Sequence, residues 1–294
     1  MEIMMERVLP FTLTLAIQIF AVSSMLMVGL RYTIGELARP LADVVGVVLA
    51  LATNFILVPL LAILLLRVFP LEAPYATGLI LVASAGGAPL LVKLAMNAKA
   101  DVAFAASLIV LLLIGTIVAM PIIVPLLTSA RVSVWAIAQP LLLSMFLPLI
   151  VGFIIRPQLP QLAQRAVPVL GTILTIALWV MVGLSVFLNL NAVIGVFGTG
   201  GIIVSLLFIA LAYCLGYLVG FLDKREQVVL GFGAAQRNFG AAIVVATQAF
   251  EARGVLVMAV VTSVVAMLLI PFSVFLGRRK AQSGDESSSP LPSQ

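Results

Sequence analysis

Nine stretches of about 20 mostly apolar residues, separated by short connections that carry most of the charge, leave this chain few ways to fold. At 1.5 Å per residue such a stretch crosses the hydrocarbon of a bilayer as a helix, and a helix satisfies its own backbone groups where water is absent. The stretches run over 9–30, 41–66, 74–97, 101–127, 134–155, 166–189, 200–222, 227–250 and 254–277. With 63% hydrophobic and 9% charged residues and a mean hydropathy of +1.29, the chain requires lipid as its solvent. The expected fold is an all-α polytopic membrane protein of nine transmembrane helices, forming one transmembrane domain over residues 1–280.

The connections decide orientation, because Lys and Arg collect on the cytoplasmic side of short loops. Of the 16 in the chain, one side takes Arg31, Arg39, Lys99, Arg156, Arg165, Lys224, Arg225, Arg278, Arg279 and Lys280. The other takes Arg7, Arg67, Arg131 and Arg253, and the last two, Lys93 and Arg237, lie inside segments. The N-terminus is therefore expected outside and the C-terminus in the cytoplasm, in a plasma or inner membrane. The Ser-, Pro- and Gln-rich stretch 281–294 reads as a disordered cytoplasmic tail. The pI of 9.8 follows from these loops and calls for no nucleic acid. His is absent and Cys214 stands alone in an apolar segment, which removes imidazole relays, zinc sites and disulfides. No Gly-x-x-x-x-Gly-Lys loop is present. Neither an enzyme nor an ATP-driven pump is expected, and no cofactor or obligate protein partner is required. Glu2, Glu6 and Arg7 do not read as the start of a signal peptide.

Two stretches interrupt the apolar pattern. Gly231-Phe-Gly-Ala-Ala-Gln-Arg-Asn-Phe-Gly240 sets Gln236, Arg237 and Asn238 at membrane depth, among three glycines that include Gly233. Each glycine costs a regular helix roughly 1 kcal/mol, and an unfaced Arg costs at least ~2.5 to 3.5 kcal/mol. A break lining a cavity is expected there, with protein, water or an anion against the guanidinium. Ser84-Ala-Gly-Gly-Ala-Pro89 is the other break, containing Gly86, Gly87 and Pro89 and followed by Lys93. A shift of 150 residues lays one break on the other and aligns Asp101 with Glu251 and Pro121 with Pro271. An odd number of segments in the second copy predicts an inverted repeat, over about 9–127 and 134–277, whose first copy lacks its opening helix.

At these residues the chain resembles the bile acid:sodium symporter family, over essentially residues 11–277. The resemblance rests on the Gly-Gly break, on Ala98-Lys-Ala-Asp-Val-Ala103 leading into the next helix, and on Gly233-Ala-Ala-Gln-Arg-Asn-Phe-Gly240 as the second break. It implies a core domain with two crossing, unwound helices, a separate panel domain, and a small or amphipathic organic anion bound between them. It also implies sodium sites, from which this chain departs. Ala88, Pro89, Leu90 and Leu91 follow the Gly-Gly break, Ser107 is the one hydroxyl near the expected place on the next helix, and Phe232 or Gly233 stands where the family has a bridging Glu. A hard cation wants oxygen ligands, and no acidic residue lies deep in any segment.

Each cation admits two readings. Lys93 either fills the space of a sodium ion, donating to carbonyls at the opposite break and leaving a proton or no ion as the coupling ion, or it snorkels to an interface about 9 Å away. Arg237 either presents its donor fork to an anion, flanked by Gln236 and Asn238, or ties down carbonyls of the crossing helix. Thr247 and Gln248 are candidate cavity lining or interfacial residues. Gln18 and Asn54 are candidates for the panel side of the cavity or for interhelical hydrogen bonds, and Thr262 and Ser263 are expected to face Ser107. The leading expectation is a secondary carrier of an organic anion, with Lys93 in place of the sodium site. Alternatives are a sodium-coupled symporter that uses backbone carbonyls, and a channel or sensor of the same fold.

Overall fold

The computed structural model describes residues 8–38, 44–128, 132–222 and 227–286. Regular structure among them is entirely helical. The elements are α1 (Leu9–Arg31), α2 (Ile34–Ala38), α3 (Val44–Val68), α4 (Ala73–Ser84), α5 (Leu91–Asn97), α6 (Val102–Leu127) and α7 (Val134–Gln158). They continue with α8 (Pro160–Leu188), α9 (Leu190–Gly198), α10 (Gly201–Val219), α11 (Gln227–Ala235), α12 (Phe239–Ala249), α13 (Arg253–Ala266) and α14 (Leu269–Glu286).

Eight stretches among the described residues are long and apolar enough to cross a bilayer, the α11–α12 pair counting as one and α13 with the start of α14 as another. The expected nine become eight plus one interrupted segment, because 74–97 is not one helix. It enters as α4, 12 residues and about 18 Å long, runs without helical geometry through 85–88, turns at Pro89 and Leu90, and resumes as α5. Gly87 enforces the interruption: its φ is +80°, and a Cβ there would stand 2.5 Å from the Leu113 nitrogen.

Three further differences have local causes. α8 starts at Pro160 rather than at 166, since Pro is well placed in a first helical turn. The short α9 fills what reads as a loop between the sixth and seventh segments. α14 continues through Arg278 and Arg279 to Glu286, so 281–286 is helical rather than disordered, and 287–294 lies outside the described residues. Of the residues that set the expected orientation, Arg7, Arg39, Arg131, Lys224 and Arg225 also lie outside them.

Burial separates centre from rim. The most apolar stretch of α11–α12 is 94% buried inside the protein and that of α8 only 17%, which places the second break at the centre and α8 against lipid. α1, α7 and α8 pack together as one group. Gly29 and Gly152 let α1 and α7 touch backbone to backbone: a Cβ on Gly29 would lie 2.4 Å from the Leu149 carbonyl oxygen. Around the centre, α4 packs on α13 and α6, while α11 packs on α10, α5 and α6.

Candidate functional site

Three helices lose their regular ladder at one place, and each loss leaves carbonyls without their usual donors. In α3 the turn Thr53–Leu57 is of the wider π type, so the Val58 N–H bonds Thr53 O and leaves Asn54 O free. At the first break Gly86 turns to Thr116 of α6: its N–H donates to Thr116 Oγ1 (2.8 Å), and that hydroxyl donates to Gly86 O (3.0 Å). The carbonyls of Val82 and Ala83 thereby lose the donors a continuous helix would supply. At the second break the Asn238 N–H leaves Ala234 O and crosses to Ala85 O (2.8 Å), tying the two breaks directly together.

Arg237 donates to all four of these carbonyls, of which Val82 O alone keeps a backbone donor, the Ala85 N–H (3.1 Å). Its side chain is fully buried. Nε donates to Val82 O (3.2 Å), Nη1 to Ala234 O (3.3 Å) and to Asn54 Oδ1, and Nη2 to Asn54 O (3.2 Å) and Ala83 O (2.7 Å). A guanidinium has five N–H donors, and five acceptors from α3, α4 and α11 surround this one. Asn54 is held in turn by its own Nδ2, which donates to Ala50 O (3.0 Å). The guanidinium therefore has no donor left for an anion in this conformation. It binds the three breaks into one unit, and none of the buried polar residues around it is acidic.

Gln236 and Asn238 flank it differently. Both are 3% exposed, and Gln236 Oε1 and Asn238 Nδ2 are buried without a hydrogen-bond partner among the described residues. Asn238 Oδ1 accepts from Ala241 N (3.1 Å) and so caps α12, which fixes the amide and turns Nδ2 away from the helix. Phe20 of α1 stands against Gly240 in the first turn of α12, so the α1–α7–α8 group meets the centre beside this polar pair.

The remaining expected residues separate. Lys93 is exposed on α5, so it does not fill the space between the breaks, and at the opposite break Ala234 O receives Arg237 instead. Ser107 is buried and donates to Ala103 O in its own helix (3.1 Å). Thr262 does not face it: Thr262 and Ser205 of α10 pair at 2.9 Å, and Ser263 donates to Ala259 O. Thr247 bonds Ile243 O and Val244 O, and Gln248 is exposed. Gln18 accepts from Ser144 of α7 (2.7 Å) within the α1–α7–α8 group, whereas Asn54 belongs to the centre. Gly86 and Gly87 form the first break, Pro89 lies half-buried in its turn, and Gly233 packs within α11 against Leu108. The polar side chain of the first break, Thr116, is not among the expected residues, because a Thr inside an apolar run carries no sequence signal of its own. Cys214 is a free, exposed thiol on α10.

Residues 18–196 match the Sodium Bile acid symporter family. The chain belongs to the sodium bile acid symporter family. Family membership agrees with the eight helical stretches among the described residues that are long and apolar enough to cross a membrane. The match contains the first break and ends before the second. Among similar proteins is a probable sodium/metabolite cotransporter BASS3, chloroplastic, of Arabidopsis thaliana, 24% identical over 66% of this chain and 45% of its own length. Another is a probable sodium/metabolite cotransporter BASS2, chloroplastic, of Oryza sativa subsp. japonica, 28% identical over 73% of this chain and 55% of its own length. The chain spans about half the length of the curated relatives it matches.

Sodium, implied by these names, can be tested against the residues present. Na⁺ needs several oxygen ligands and gains most from a carboxylate. At the crossing the carbonyls already receive guanidinium N–H groups, and a second unit charge about 4 Å away would meet roughly 4 kcal/mol of repulsion at an effective dielectric constant of 20. After the first break, Ala88, Pro89, Leu90 and Leu91 supply no side-chain oxygen. Among the described residues no cluster of three acidic, His or Cys side chains is placed to hold a metal. The crossing of this family member does not fit sodium.

Proposed function

We propose that this member of the family is a secondary carrier of a small organic anion, bound where the two broken helices cross and released to either side as the α1–α7–α8 panel rocks against the core. The observation that carries this reading is the buried Arg237, whose ligands are all neutral oxygens. A full positive charge stays uncompensated at low dielectric and favours an anion nearby, as does the N-terminal end of α12. Asn238 Nδ2 is the donor available to the anion, and Gln236 Oε1 the acceptor for a hydroxyl or N–H on the same solute.

The register of the breaks supports an inverted repeat beneath this mechanism. Residues 86–88, 150 positions before 236–238, lie within the first break, and α6 and α13 begin at Val102 and Arg253, one residue from the same spacing. A broken helix in each half gives rigid-body rocking a fixed pivot. The orientation expected from loop charge, N-terminus outside and C-terminus cytoplasmic, completes the proposal.

Counterflow in liposomes tests it. Purified protein should exchange a labelled organic anion saturably, faster when unlabelled anion is loaded inside, and should not exchange an organic cation of similar size. Non-saturable flux insensitive to internal solute would mean a channel, and equal exchange of the cation would remove the role given to the Arg237 charge.

A further inference from the structure

We infer that Arg237 is a built-in replacement for a coupling cation: its guanidinium holds the crossing closed in the way a bound metal ion otherwise would, which frees transport from sodium. The inference rests on the carrier reading for its consequence in transport, but its structural part stands alone.

What a bound cation would do at such a crossing is gather carbonyl oxygens from separate segments that water cannot reach. Arg237 gathers them from α3, α4 and α11, and a break has released three of the four: Ala83 at the first, Asn54 at the π-turn and Ala234 at the second, while Val82 O shares its guanidinium bond with one from Ala85 N. The direct bond from Asn238 N to Ala85 O lies beside them. A mobile ion would leave during the cycle and the crossing would loosen with it. A side chain cannot leave, so the unit formed by these segments persists whatever the ionic composition of either side. The same charge repels a second cation from the oxygens gathered at the crossing, so a carrier built this way has neither the means nor the need to bind sodium there.

Arg237→Ala turns the residue's place into a cavity ringed by those carbonyls and Asn54 Oδ1, which is a cation site by construction. A planar guanidinium ion matches its donors, and sodium matches its oxygens.

The test is thermal unfolding of purified protein in detergent, read with sodium against choline, and for the variant with millimolar guanidinium. The wild type should show no sodium-dependent shift in melting temperature. Arg237→Ala should melt lower, and guanidinium or sodium should raise it saturably by at least about 2 °C, with no such rise in the wild type. A saturable sodium-dependent rise in the wild type overturns the inference, whether or not the variant folds. An Arg237→Ala protein that is folded and indifferent to both ions also overturns it. Because unfolding reports ion binding without transport, a failure of the counterflow experiment leaves this result separately readable.

Discussion

Asn54 accepts two hydrogen bonds from the one guanidinium of Arg237, through its side-chain Oδ1 from Nη1 and through its backbone oxygen from Nη2 at 3.2 Å. Both acceptors depend on the same local event. The π-turn at Thr53–Leu57 releases the backbone oxygen, and the Nδ2 bond to Ala50 O aims the amide so that Oδ1 faces inward. A residue 183 positions away in sequence thus completes the coordination of the buried cation.

Replacing Asn54 separates charge from packing. Asn54→Leu removes the Nη1 acceptor from a buried charge and should lower stability by about 2–3 kcal/mol, read as an earlier unfolding transition in detergent. Asn54→Asp keeps the acceptors and neutralises the guanidinium. It should fold, and should lower organic-anion uptake at least about tenfold, since the positive field is gone. Undiminished uptake by Asn54→Asp would show that the Arg237 charge does not draw the solute.

Gly87→Ala should be among the most damaging single-methyl changes in the chain. The residue has φ +80°, and the added Cβ would meet Leu113 N at 2.5 Å and Ile109 O at 2.8 Å, both backbone atoms of α6 that cannot step aside. A loss of about 2 kcal/mol or more is expected, visible as poor yield of folded protein; the matching change at Gly86, where neighbours lie at 3.4 Å, should cost less.

The two breaks, the helical class and Arg237 as a buried charge are legible in the sequence, because closely spaced glycines and an Arg inside an apolar run are both costly in an uninterrupted membrane helix. Which of its two readings holds for Arg237, an anion or carbonyls of the crossing helix, is not legible, nor is which carbonyls it meets. Its partners are backbone carbonyls and one Asn, and a carbonyl is present at every residue; the three-dimensional crossing alone shows which are free. The reading of Lys93 as the filler of a sodium site fails for a related reason. An ammonium inside an apolar segment fits either the gap between the breaks or an interface about 9 Å away, and only its exposure on α5 decides for the second. Helix α9 and the extension of α14 leave no mark on the hydropathy pattern, because neither needs a long apolar run.

Lys93→Ala should therefore change little. An exposed side chain away from the crossing should shift stability by no more than about 0.5 kcal/mol, and uptake should match the wild type. Loss of uptake in this variant at normal expression would return Lys93 to the transport path.

Thr116 should prove indispensable as a hydroxyl. Its Oγ1 both accepts from Gly86 N and donates to Gly86 O, so Thr116→Val strands two backbone groups at the first break. A loss of about 2–4 kcal/mol is expected in the unfolding transition, and Thr116→Ser should recover most of it.

The most direct measurement is the ratio of initial organic-anion uptake rates into protein-containing liposomes in sodium and in potassium media of equal ionic strength. A fixed guanidinium at the crossing predicts a ratio near one, with saturable uptake in both. Uptake confined to the sodium medium would mean that a mobile cation, and not Arg237, completes the site.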